Sequence, residues 1–103
     1  MSRAVVADAR AAAFDVLRRV FEDEAYADRA LRSASAGLDD RERQLARQLA
    51  YGAVQRARTI DWAIERIGRR PMTKIDPPVR AALRLGAYQL GYLDGVPRYA
   101  AVN

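Results

Sequence analysis

Apolar residues recur every three or four positions along most of the chain, which is the spacing of one face of an α-helix. This pattern predicts a first helix over residues 3–22 and a second over residues 25–34, with Tyr26 facing inward. The small residues at 33–37 then predict a loop. No stretch shows the strict alternation of a half-buried strand, so the predicted fold class is all-α.

Capping residues set the bounds of the later helices. Asp39, with Glu42 three residues on, predicts a capping box that starts a third helix reaching about residue 56. Thr59 is the predicted N-cap of a fourth helix, which Gly68 stops. A fifth helix begins at residues 76–77, where Asp precedes Pro, and runs to about residue 93. A turn at Asp94-Gly95 and a sixth helix opened by Pro97 complete the pattern.

The fifth helix is apolar over most of its circumference, which predicts a place in the middle of a bundle. Its only plainly polar arc holds Arg80 and Arg84. Gly52 and Gly86 lie inside helices, where glycine costs about 1 kcal/mol relative to alanine. Close helix–helix approach is the predicted reason for both glycines.

The composition excludes several kinds of chemistry. The 103 residues suffice for one compact domain, and they include no cysteine and no histidine. We therefore expect no zinc site, thiolate nucleophile or Ser–His triad. No glycine-rich phosphate loop, signal peptide or membrane-spanning run is apparent, so a cytoplasmic protein is expected.

The positive charge is concentrated in the second half of the chain. The formal net charge is +5, and residues 1–50 contribute nothing because they hold nine basic and nine acidic side chains. Residues 51–103 hold nine basic and only four acidic ones. Arginine accounts for every cation except Lys74. Its planar fork suits phosphate contacts, although a GC-rich genome would also favour arginine codons.

The stretch at residues 66–74 holds four cations and no acid. It lies in the connection before the fifth helix, so its charges are expected to be exposed together. We interpret it as a phosphate-contacting surface that Arg80 and Arg84 extend; the alternative is a solvated loop. In the first helix, Arg3 and Arg10 either overhang the core or form a second RNA anchor. The predicted RNA-binding residues are Arg3, Arg10, Arg66, Arg69, Arg70, Lys74, Arg80 and Arg84.

The aromatic residues all occupy core-compatible helical positions. They are Tyr26, Tyr51, Trp62, Tyr88 and Tyr92. Core packing is the prediction for most of them, and base stacking is the alternative.

Several segments together carry a family resemblance. Residues 45–56 (LARQLAYGAVQR), 60–62 with 70–72 (IDW and RPM), and 84–90 with 96–103 (RLGAYQL and VPRYAAVN) cover much of the chain. They resemble the NusB-like N-terminal domains of the Sun/RsmB family of 16S rRNA cytosine-C5 methyltransferases. The antitermination factor NusB usually has Glu where this chain has Gln89, which favours the methyltransferase branch. Gln55 departs from the hydrophobic residue common at its position.

The resemblance implies a NusB-like helical bundle, here truncated before its last helices, as one RNA-binding domain over residues 1–103. It implies that a following methyltransferase domain uses S-adenosylmethionine and cysteine chemistry. This part of the protein would then bind no cofactor and have no catalytic residues. The implied partners are 16S rRNA and that methyltransferase domain, and the implied role is to grip and orient the rRNA.

Two other functions remain open. The chain could be an antitermination factor that binds RNA with a ribosomal protein, or a scaffold for the catalytic domain without RNA contacts. Truncation further predicts an apolar groove beside the fifth helix. A second copy of the chain is expected to cover it, with a swapped C-terminal segment as one route to the homodimer.

Overall fold

The computed structural model describes residues 3–93, with side chains described from residue 8 onward. It contains α1 (Arg3–Asp23), α2 (Ala27–Ala34), α3 (Asp40–Gln55), α4 (Ala57–Gly68) and α5 (Pro77–Tyr88). A 3-10 turn at Met72–Lys74 precedes α5, which continues into a π-helical turn at Gln89–Leu93. Residues 3–93 contain no β-strand, so the all-α prediction is confirmed. The predicted turn at Asp94-Gly95 and the helix opened by Pro97 lie outside the described residues.

The core forms around α1, which packs against α2, α3 and α5. Most of the buried side chains are alanines, which let helix backbones approach closely. Leu17 of α1 and Leu49 of α3 are among the largest fully buried side chains. Each stabilises the fold by about 1.5–3 kcal/mol through removal of apolar surface from water. This tight packing brings α5 over the surface formed by α1 and α3.

The structure confirms the predicted start of α3 and corrects the start of α4. Asp39 accepts the N–H of Glu42 at 2.8 Å, and the Glu42 carboxylate accepts the N–H of Asp39 at 3.3 Å. Thr59 is not an N-cap, because Arg56 is both the C-cap of α3 and the N-cap of α4. Its backbone (φ −108°, ψ 13°) turns the chain without an intervening loop. The α4 helix therefore begins three residues earlier than predicted.

The two helical glycines differ in their surroundings. The ring of Tyr88 occupies the space where a Cβ on Gly52 would lie, so this side chain of α5 packs directly on the backbone of α3. A Cβ on Gly86 would meet no atom within 4 Å. The close-approach prediction is thus confirmed for Gly52 and wrong for Gly86, which faces open space beside the apolar side of α5.

Arg84 is buried, contrary to the prediction that it lies on an exposed polar arc. Only 6% of its surface is accessible. Its guanidinium donates to both carboxylate oxygens of Asp61 on α4, at 2.8 and 3.0 Å. The same guanidinium lies 4.0 Å from the ring centroid of Phe21 on α1. Arg84 therefore joins three helices, and its charge is neutralised within the fold.

The structure divides the aromatic residues into buried and exposed groups. Tyr88 is buried and Tyr51 half-buried, as predicted. Tyr26, Trp62 and Tyr92 are exposed over 74%, 60% and 43% of their surfaces, so the core prediction is wrong for them. Tyr26 precedes the first turn of α2, where it serves as N-cap, and Trp62 lies on the outer face of α4.

Alanine at Gly52 and at Gly86 should change stability in opposite directions. Gly52→Ala places a methyl group on the Tyr88 ring, and overpacking of this kind costs about 1–3 kcal/mol. Gly86→Ala meets no steric obstacle and should stabilise the chain by up to about 1 kcal/mol through helix propensity. Urea unfolding of the two variants measures both effects, and equal destabilisation would contradict the difference in packing.

Removing the charge of Asp61 should destabilise the chain strongly. Asp61→Asn leaves the buried guanidinium of Arg84 without a counter-charge. Loss of one partner of a buried pair costs about 3–5 kcal/mol, and the partial exposure of Asp61 places the expected loss at the lower end. Urea unfolding measures the loss, with Asp15→Asn, in the exposed pair with Arg19, as the control at about 1 kcal/mol or less. Similar losses in both variants would contradict a special role for the Arg84 pair.

Candidate nucleic-acid interface

The basic stretch at residues 66–74 presents its four cations to solvent. Arg66, Arg69, Arg70 and Lys74 are all exposed. None of them forms a salt bridge with any residue in the described range 8–93. The Nη2 of Arg70 makes only a long contact of 3.4 Å to the carbonyl oxygen of Lys74. The structure therefore brings together these four predicted site residues as unpaired charges.

The backbone of this stretch is held against α4 even though its charged side chains are exposed. Arg69 follows α4 in the left-handed conformation (φ 55°), which turns the chain back toward the helix. The N–H of Met72 then donates to the Glu65 carboxylate at 2.7 Å, and the Met72 side chain is buried. These contacts fix the 3-10 turn and thereby the backbone positions from which the charged side chains extend.

Arg80 does not extend the exposed surface as predicted. It is half-buried, and its Nε donates to the carbonyl oxygen of Ile75 at 2.7 Å. The pKa of Glu22 is lowered, mainly by the hydrogen bond from Arg18, with a smaller contribution from the charge of Arg80. Arg80 thus stabilises the start of α5 and lies near the C-terminal end of α1. Arg84 is likewise excluded from the surface, because it is buried against Asp61.

Two further exposed residues adjoin the basic stretch on α4. Arg58 and Trp62 precede Arg66 at intervals of four residues, so the three lie on one face of the helix. The guanidinium carbon of Arg66 lies 5.0 Å from the Trp62 ring centroid. Our sequence interpretation did not include Arg58 and assigned Trp62 to the core. The four-residue spacing of Arg58, Trp62 and Arg66 in the sequence could have indicated that they share one face.

The cations of α1 are separate from this surface in sequence and are only partly described. Arg10 is exposed and forms no salt bridge within the described side chains. It therefore points to solvent, although the apolar pattern places it beside the inner face. The Arg3 side chain lies outside the described residues.

An apolar groove of about 580 Å³ runs between α4 and α5. Ile67 and Leu90 on its two walls are exposed over 86% and 64% of their surfaces. Val79 and Leu83 of α5 line it as well. The predicted groove beside the fifth helix is therefore present. It lies on a different side of α4 from Trp62, which does not line it.

A polar cleft of about 370 Å³ lies between α2 and α3. Its walls mix charges, because Asp28 and Asp40 accompany Arg32, Arg43 and Arg47. The Arg47 guanidinium is also stacked on the ring of Tyr51, 4.7 Å from its centroid. Mixed charge makes this cleft a weaker phosphate-binding candidate than residues 66–74, where no acidic side chain intervenes.

The described residues contain neither a cluster of metal-ligating side chains nor a membrane-spanning helix. No group of three potential metal-ligating side chains occurs among them. No helix within residues 3–93 is long and apolar enough to span a membrane.

Comparison with known proteins gives matches to methyltransferases and to antitermination factors. A "Probable ribosomal RNA small subunit methyltransferase B" from Synechocystis sp. is 43% identical over 97 residues, covering 92% of this chain and 22% of that protein. The protein of the same name from Bacillus subtilis is 32% identical, covering 88% of this chain and 21% of its own length. A "Transcription antitermination protein NusB" from Halorhodospira halophila is 38% identical over 69 residues, which are 67% of this chain and 44% of that protein.

The matches agree on one family. The chain spans about a fifth of the length of the methyltransferase relatives that it matches. No solved structure matches significantly. The profile of the NusB family matches residues 7–103, which is nearly the whole sequence. The chain therefore belongs to the NusB family and forms an all-α, NusB-like domain.

Proposed function

We propose that this chain is the RNA-binding accessory domain of an S-adenosylmethionine-dependent 16S rRNA cytosine-C5 methyltransferase. It grips and orients rRNA in the cytoplasm and has no catalytic activity of its own. The observation that carries the proposal is the group of four exposed, unpaired cations at residues 66–74. Several such cations make an efficient phosphate anchor, because binding releases the counterions condensed on RNA.

The methyl transfer itself belongs, in this proposal, to a domain outside the sequence. The chain has no cysteine or histidine. In this proposal the cofactor and the cysteine nucleophile come from a separate methyltransferase domain, since the chain matches only about a fifth of the length of these relatives. The names of the relatives from Synechocystis and Bacillus support the assignment to rRNA of the small subunit.

A transcription antitermination factor is the second candidate function. The match to the NusB protein of Halorhodospira halophila favours it. Such a factor would bind RNA together with a ribosomal protein, so the RNA-binding surface would be the same and the partner would differ. A third candidate, a scaffold that only packs on the catalytic domain, requires no RNA contact from the basic stretch.

Reversing three charges of the basic stretch should abolish most RNA binding. We expect the chain to bind a labelled small-subunit rRNA hairpin with an affinity that falls steeply as salt rises. The triple variant Arg69→Glu, Arg70→Glu and Lys74→Glu should lose at least tenfold in affinity. The slope of log K against log salt should become shallower by about 2–3, roughly one for each lost phosphate contact. Fluorescence anisotropy at several salt concentrations, beside an unrelated RNA, measures both changes.

A matched triple variant controls for net charge. Arg29, Arg32 and Arg41 are exposed cations of α2 and α3, and their change to Glu alters the charge by the same amount. This control should keep most of the affinity. Equal losses in the two variants would show a diffuse charge effect in place of a defined surface. Absence of binding at low salt would favour the scaffold function.

Two copies of the chain should associate through the groove between α4 and α5, because large exposed apolar patches drive association. Light scattering should give a mass that rises with concentration above the 11.5 kDa of one chain. Ile67→Glu places a charge in the groove at a residue that is 86% exposed, and it should keep the chain monomeric. Tyr26→Glu, at an exposed residue outside the groove, is the control. A monomeric wild type at every concentration would contradict the homodimer.

A further inference from the structure

The outer face of α4 carries an aromatic residue between cations. Arg58, Trp62 and Arg66 follow one another at intervals of four residues, and Arg69 comes three residues after the last. The three residues within α4 lie on one side of the helix, and Arg69 directly follows its C-terminus in the left-handed conformation. All four are exposed, and none of the three arginines forms a salt bridge within residues 8–93.

Trp62 contributes little to the core of the domain. Ile60, two residues earlier, is buried, and each residue advances around a helix by about 100°. Trp62 therefore points about 200° away from Ile60 and leaves 60% of its surface in solvent. It also stands apart from the apolar groove, which Ile64 and Ile67 line from α4. Neither core packing nor covering of the groove accounts for an indole at this position.

The contact with Arg66 orients the indole and places a positive charge beside it. The guanidinium carbon lies 5.0 Å from the ring centroid, within the range of a cation–π contact. An aromatic plane beside a guanidinium stacks with any nucleobase, while neighbouring arginines contact phosphates. In duplex RNA the base faces are already stacked on one another, so only unpaired nucleotides offer them.

We propose that Trp62 and Arg66 form a stacking platform for an unpaired base of single-stranded RNA. Arg58 and Arg69 contact the phosphates on either side of that base. This inference rests on the proposed RNA-binding function and narrows its ligand to single-stranded segments. It also extends the RNA-binding surface from the basic stretch along α4 to residue 58.

Trp62 is the only tryptophan of the chain, so its intrinsic fluorescence reports on this position alone. The experiment titrates the chain with an unstructured oligoribonucleotide and with the same strand annealed to its complement. We expect the single strand to quench the fluorescence with the same midpoint as its binding measured by anisotropy. The duplex should produce little quenching at matched occupancy.

Substitution of Trp62 tests the energetic contribution of the platform. Trp62→Ala should weaken single-strand binding by about 5- to 150-fold, the effect of losing one stacked base. Trp62→Phe should restore part of the affinity. Tyr26→Ala is the matched control, because Tyr26 is a more exposed aromatic residue at the start of α2 and should leave affinity unchanged. Circular dichroism should show the same helicity for all variants.

The outcomes separate this inference from the proposed function. One outcome would overturn only the platform. In it, RNA binding depends on salt and is lost on reversal of Arg69, Arg70 and Lys74. The RNA nevertheless leaves Trp62 fluorescence unchanged, and Trp62→Ala binds as tightly as the wild type. Trp62 would then be a candidate contact for a protein. Equal quenching by single strand and duplex would overturn it as well. Failure of all RNA to bind would overturn the proposed function together with the platform.

Discussion

The ion pair between Arg84 and Asp61 determines how the second half of the domain is assembled. One guanidinium binds the carboxylate on α4 through two hydrogen bonds and lies against Phe21 of α1. A buried arginine tolerates few alternative arrangements, because separation from its partner would leave a charge in a poorly solvated site. The pair therefore fixes the rotation of α4 about its own axis as well as its position beside α5.

This fixed rotation directs the side chains of α4 toward four different surroundings. Ile60 points into the core and Asp61 toward α5, while Ile67 borders the apolar groove. Trp62 and Arg66 occupy the remaining side, facing solvent. Glu65 adds a second constraint, because its carboxylate holds the N–H of Met72 and keeps the basic stretch beside the helix. A structural core and a charged outer surface thus share the same twelve-residue helix.

Local features of the sequence were sufficient to predict the helices but not the partners of their side chains. The capping box at Asp39 depends on residues within one turn, so its spacing identified it. Arg84 was assigned to the surface because its burial depends on Asp61, which lies 23 residues away. Trp62 was assigned to the core because α4 has more apolar residues than its neighbours bury, and periodicity does not tell which remain exposed. The exposure of the cations at residues 66–74 was predicted correctly, because no acidic residue within the stretch could pair with them.

The single-residue joint at Arg56 limits how the length of the chain can vary. The exposed loop that includes Gly37 could absorb an inserted residue at little cost, because a Cβ at Gly37 would meet no atom within 4 Å and loop closure costs rise slowly with length. One residue inserted at Arg56 would instead turn all of α4 by about 100° relative to α3. Asp61 would lose Arg84, and the outer face of α4 would rotate toward the body of the domain. Functional homologues should therefore conserve the number of residues between Gly52 and Asp61 more strictly than the identity of the residues there.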